Sequence, residues 1–69
     1  MEKSIDGGTL KTQAFVMAGM ESDPKKRRML DQINYRIAVI NHNYGQGIIT
    51  LQQYQDRLTI CEQLLSKVA

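Results

Sequence analysis

The chain has 69 residues, of which 42% are hydrophobic and 23% charged, with a formal net charge of +2. This composition is typical of a folded protein, and the length allows one domain with a small core, which argues against an enzyme. The only cysteine, Cys61, and the only histidine, His42, exclude an internal disulfide and a Cys/His zinc site within one chain. No stretch reaches the ~20 apolar residues of a membrane span, so we expect a cytoplasmic protein without membrane contact, metal or cofactor.

Residues 1–22 are predicted to form a short helix or an arm that contacts a partner. Asp6 and the two glycines after it indicate a turn, after which Thr9 can cap a helix that Gly19 ends. One face of this helix would carry Leu10, Ala14 and Met17. A strand from Leu10 to Met17 is the alternative, because that stretch contains β-branched and aromatic residues.

A long helix is predicted over residues 23–44. Asp23 is a suitable N-cap and Pro24 fits the first helical position, while Gly45 and Gly47 can end the helix and make the turn. Apolar residues recur at alternating spacings of three and four, which places them on one helical face. These residues are Leu30, Ile33, Ile37, Ile40 and Tyr44.

A second long helix is predicted over residues 50–68. Thr50 and Gln53 fit a capping box, and a second apolar stripe follows with the same alternating spacing. Its members are Leu51, Tyr54, Leu58, Cys61, Leu65 and Val68. Because the connection between the two helices is short, they are expected to be antiparallel neighbours. The predicted fold class is all-α, a long antiparallel helical hairpin with a short N-terminal element.

Some apolar residues lie beside these stripes and need another surface to cover them. Tyr35 and Val39 form one pair on the first long helix, and Ile60 and Leu64 form another on the second. A two-helix hairpin cannot cover both pairs. Either the N-terminal segment folds back over them as a third element, or they pack against another chain, since small domains often oligomerise. We therefore predict these four residues as protein-binding anchors in a homo-oligomer or in a complex with another protein.

The loop and the second long helix resemble the SHOCT (short C-terminal domain) family. The resemblance rests on Gly-Ile-Ile-Thr at residues 47–50, followed by Tyr54, Arg57 and Leu65. It implies a non-enzymatic helical hairpin used for oligomerisation or protein contact, such as a regulator or inhibitor of a bacterial host protein encoded by a bacterial or prophage genome. In this motif Gly45 and Gly47 make the turn, the two isoleucines plug the hairpin end, and Tyr54 packs back onto the first long helix.

The positive charge is concentrated at one helix start, in Lys25, Lys26, Arg27 and Arg28. These cations can steer an acidic partner. Nucleic acid is the alternative partner, because clustered cations bind phosphates. A helix-turn-helix protein is a narrower form of that alternative, with base-reading groups at Gln52, Gln53, Gln55 and Asp56. Two observations argue against nucleic-acid binding by this run. Consecutive helical residues point in different directions around the helix, and no aromatic residues are interleaved with the four cations.

No catalytic residue is predicted. Cys61 lies on an apolar stripe, and a nucleophilic thiol needs a polarising neighbour such as histidine. His42 lies far from it along the hairpin, where it forms a polar helix end with Asn41 and Asn43. We expect Cys61 to be a buried, unreactive thiol.

Overall fold

The computed structural model describes residues 4–68, which form three helices in chain order. These are α1 (Gly7–Met20), α2 (Pro24–Gly45) and α3 (Leu51–Val68). The part of the chain that the structure describes contains no strand, so the all-α prediction is confirmed and the strand alternative for residues 10–17 is wrong.

The first helix begins earlier and ends later than the sequence predicts. Asp6 is its N-cap, with Oδ1 accepting from the Gly8 amide at 3.0 Å and Oδ2 from Thr9 Oγ1 at 2.9 Å. The hydrogen bond from Thr9 has the largest effect on the pKa of the Asp6 carboxyl and lowers it below its usual value. The hydrogen bond from the Gly8 amide acts in the same direction. The predicted cap at Thr9 is therefore wrong, because Thr9 already lies inside the helix. Gly19 also lies inside α1 and does not end it.

The N-terminal ends of α2 and α3 follow from local capping chemistry, as predicted. Gly45, predicted with Gly47 to end the first long helix, is still part of α2, and of the two only Gly47 has a positive φ. Asp23 caps α2 by accepting from the Lys25 amide at 3.0 Å. At α3 the capping box is reciprocal: the Gln53 amide donates to Thr50 Oγ1 at 3.1 Å, and the Thr50 amide donates to Gln53 Oε1 at 2.9 Å. Between them Gly47 adopts a φ of +75°, which a residue with a Cβ adopts only at a cost.

One core is shared by all three helices, with α1 packing mainly against α2. The buried residues of this core are Leu10, Ala14, Ala18, Leu30, Ile33, Ile37, Leu58, Cys61, Leu65 and Val68. The arrangement is thus more than a two-helix hairpin with a minor element, because α1 supplies a full face to the core. The buried face of α1 includes Ala18. Met17, which the sequence predicts for this face, is only partly buried.

Near the turn, some residues that the sequence predicts to be buried are exposed in the structure. Leu51 is 59% exposed, although its spacing places it on the α3 stripe. Of the two isoleucines predicted to plug the hairpin end, Ile49 is buried but Ile48 is 67% exposed. The space between α2 and α3 near the turn is filled by Tyr44 and Tyr54, whose rings stack with centroids 4.2 Å apart.

A small polar network connects the three helices. Tyr54 Oη donates to Asn41 Oδ1 at 2.8 Å, and Asn41 Nδ2 donates to the carbonyl of Gly7 at 3.3 Å. Farther along α3, the Gln55 side chain makes two hydrogen bonds to the backbone of Ile5, at 2.8 and 3.0 Å. These partly buried hydrogen bonds tie Ile5 and Gly7 to side chains of α2 and α3, and so help to fix where the N-terminal part of the chain lies.

Candidate functional site

A groove of about 330 Å³ lies between α2 and α3, on a side of the molecule that α1 does not line. Its residues come from two successive turns of each helix. They are Tyr35, Arg36, Val39 and Ile40 from α2, and Arg57, Ile60 and Cys61 from α3. The two helices therefore bring together residues that are far apart in the sequence.

Three of the four predicted anchors meet in this groove. Tyr35 is 72% exposed, Ile60 54% and Val39 38%, so their apolar surface faces outward. The fourth, Leu64, does not line the groove and packs half-buried against the core. A spacing of four places Leu64 one turn beyond Ile60, where it serves the core.

The groove is positively charged. Arg36 and Arg57 line it, and no carboxylate does. A second, shallower depression of about 610 Å³ adjoins it and shares Tyr35 and Arg36. That depression adds Arg28 together with one carboxylate, Asp31. Arg28, Arg36 and Arg57 thus line the two depressions that meet at Tyr35.

The basic run contributes less to this site than the sequence suggests. All four of its side chains are exposed, but only Arg28 lines the depression beside Tyr35. Each step along a helix turns the side chain by about 100°, so Lys26 and Arg27 point in other directions, while Lys25 lies about one turn before Arg28 and does not line the depression. A run of four cations in the sequence therefore supplies one cation to the groove.

Cys61 forms the floor of the groove, only 2% exposed. Burial raises the pKa of its thiol, and the positive charge of Arg36 opposes that effect. His42 is exposed near the turn end of α2 and lines neither depression. Among residues 4–68 no group of three His, Cys, Asp or Glu side chains is placed to hold a metal ion.

We expect native Cys61 to be alkylated by iodoacetamide roughly 10-fold or more slowly than in urea, because the reagent needs an exposed thiolate. The folded state favours the neutral thiol. The contribution of this neutral thiol to the free energy of unfolding is fully present below the ordinary thiol pKa of 9.0. It is lost as the pH rises through the raised pKa. Mass spectrometry of timed reactions measures the first effect and urea titrations at several pH values measure the second. Equal alkylation rates in the native and denatured protein would contradict this placement of Cys61.

Two features of the structure were missed from the sequence. Asn41 was assigned to a polar helix end, although it lies four residues after the buried Ile37 and so on the same helical face. That spacing was the available signal for a polar group inside the helix interface. The second feature is the outer face of α1, where Phe15, Val16 and Met20 are exposed.

No family model, curated protein or solved structure matches this chain. The SHOCT resemblance therefore stays a prediction. In residues 4–68 no helix is both long enough and apolar enough to cross a membrane.

Proposed function

We propose that this chain is a non-catalytic protein-interaction module whose groove between α2 and α3 binds an acidic amphipathic segment of another protein. One observation carries the proposal: Tyr35, Val39 and Ile60 converge, largely exposed, between two arginines and without a carboxylate. Exposed apolar side chains gathered in a concave site, with charge at their edge, are typical of a protein-binding surface.

The groove residues have the chemistry that contributes most to binding. Tyrosine and arginine are enriched among the residues that dominate interface energies, and both Tyr35 and Arg36 lie here. A partner helix can place apolar residues against Val39 and Ile60 at spacings of three and four. Carboxylates on its flanks can then pair with the guanidinium groups of the groove, which bind carboxylates with two parallel hydrogen bonds.

The exposed cations at the start of α2 fit the same partner. Arg28 lies beside the groove, and the other three increase the positive potential nearby. Exposed charges contribute mainly to the rate and specificity of association and less to its final affinity. We therefore assign Lys25–Arg28 to steering an acidic partner.

The experiment uses two synthetic helical peptides with the same leucine spacing, one flanked by glutamate and the other by lysine. Titrations followed by NMR are expected to show binding of the acidic peptide at the groove and none of the basic peptide. Ile60→Asp should weaken binding at least ~10-fold, since it puts a charge on an apolar anchor next to the peptide carboxylates. Gln63→Asp, which adds the same charge to an exposed site of α3 outside the groove, is the matched control and should bind normally.

Nucleic acid is the second candidate, favoured by the exposure of all four cations in the basic run. Duplex DNA binding of this kind would fall steeply with salt and be insensitive to sequence. It would survive Ile60→Asp and be lost when Lys25–Arg28 are replaced by alanine. That result, combined with equal binding of the acidic and basic peptides, would reject the groove proposal in favour of DNA.

A further inference from the structure

The outer face of α1 is apolar although it lies on the surface of the molecule. Phe15 is 68% exposed, Val16 49% and Met20 80%. The opposite face of the same helix carries the buried Leu10 and Ala14. A helix that packs one face on a domain normally has polar residues on the other, and a helix that is apolar all round is normally buried on both sides. The outer face of α1 therefore lacks the cover that its composition requires.

The exposed apolar residues of α1 form one continuous surface. With about 100° per residue, the side chains from Thr12 to Met20 that point away from the core share an arc of roughly 140°. Gly19 lies in the middle of this arc, and a Cβ there would meet nothing within 4 Å. The surface thus has a shallow depression at Gly19, between the larger side chains of Phe15 and Met20. A second helix can approach closely there.

We propose that this face of α1 binds a second copy of the same chain. A two-fold dimer places one patch against the identical patch, so a patch with charges of only one sign brings like charges together. Residues 12–20 contain no charged residue, and the patch is therefore compatible with its own copy. The groove is not, because a two-fold contact there would bring Arg36 and Arg57 of both copies together.

The same observations disfavour a membrane surface as the occupant. Helices that lie in a lipid interface carry several lysines or arginines along their polar face. In α1 the only charged residue is Lys11. The side of α1 opposite the patch is buried against α2, so it cannot serve as the polar face that turns toward water.

The size of the patch sets the strength of the dimer. The exposed parts of Phe15, Val16 and Met20 amount to roughly 350 Å² if each side chain has about 150–200 Å² in total. Two copies would bury about twice that area, together with the surrounding polar rim. This lies at or below the lower limit of stable interfaces, which bury about 1,200 Å² or more. We therefore expect a reversible dimer with a dissociation constant in the micromolar range or weaker.

Sedimentation equilibrium of the full chain from about 10 µM to about 1 mM tests the proposal. The wild type is expected to change from monomer to dimer across this range. Phe15→Glu should raise the dissociation constant at least ~10-fold, because it places two carboxylates in the interface. Gln13→Glu, an exposed position of α1 outside the patch, and Ile60→Asp should dimerise like the wild type. Circular dichroism of Phe15→Glu checks that the variant is folded.

Three outcomes would overturn the proposal. These are a wild type that stays monomeric up to about 1 mM, a dimer that Ile60→Asp abolishes and Phe15→Glu does not, and wild-type binding to phosphatidylcholine vesicles in place of dimerisation. Failure here is distinguishable from failure of the groove proposal, since the two surfaces share no residue. The acidic peptide should bind Phe15→Glu as well as it binds the wild type.

Discussion

Leu58→Ala is expected to remove most of the protein's free energy of unfolding. The Leu58 side chain is completely buried in the core that all three helices share. Leucine-to-alanine changes at such positions cost about 2–5 kcal/mol, because buried apolar contacts are lost and a cavity remains. A core in a chain of this length rarely supplies more than about 3–5 kcal/mol in total. Urea denaturation followed by circular dichroism should show a variant that is partly or wholly unfolded at 25 °C.

Leu51→Ala is the matched control on the same helix. Leu51 belongs to the same apolar stripe in the sequence, but it is 59% exposed at the first position of α3. Its replacement should change the free energy of unfolding by no more than about 0.5 kcal/mol. A loss as large as that of Leu58→Ala would contradict the exposure of Leu51 and would mean that the whole predicted stripe is buried.

The contrast between these two leucines shows what the sequence could predict. The N-terminal ends of α2 and α3 were predictable because Asp23, Thr50 and Gln53 act through hydrogen bonds to amides two or three residues away. The spacing of apolar residues likewise predicts which face of a helix turns toward a core. It does not reveal where along that face another helix lies, which is why Leu51 was expected in the core.

The placement of α1 depended on packing that no local pattern records. Two of its four buried residues are alanines, with Ala14 completely buried and Ala18 5% exposed. Alanine is common on both buried and exposed helix faces, so a sequence pattern gives it little weight. The larger Met17 and Phe15 drew attention, although Met17 is only partly buried and Phe15 is exposed.

The groove was more accessible to sequence reasoning. Tyr35, Val39 and Ile60 lie beside the stripes at helical spacings, so they had to border the interface between α2 and α3. Neither arginine of the groove was predicted as a binding residue: Arg57 was named only for the SHOCT resemblance, and Arg36 was not singled out. Arg36 and Arg57 become one electrostatic feature only when the helices place them on opposite walls.

Gly7→Ala is expected to destabilise the protein by about 2–4 kcal/mol, although glycine-to-alanine changes in helices are usually stabilising. Gly7 is buried at the start of α1, and a Cβ there would overlap Asn41 Oδ1 and Tyr54 Oη. These atoms are the acceptor and donor of a 2.8 Å hydrogen bond. The Tyr54 ring stacks on Tyr44 and cannot move away freely. Either the hydrogen bond breaks inside the protein, at a cost of about 1–3 kcal/mol, or α1 moves off α2 and α3.

Gly8→Ala separates this close contact from the general effect of removing a glycine. Gly8 is the next residue of the same helical turn, but it is exposed, and its added Cβ would make only an ordinary contact with Asp6 at 3.5 Å. This variant should be unchanged or more stable by up to about 1 kcal/mol, because alanine loses less conformational entropy on folding. Thermal and urea unfolding of both variants measure the difference. If Gly7→Ala were as stable as Gly8→Ala, the Asn41–Tyr54 network would not hold α1 as closely as the structure indicates.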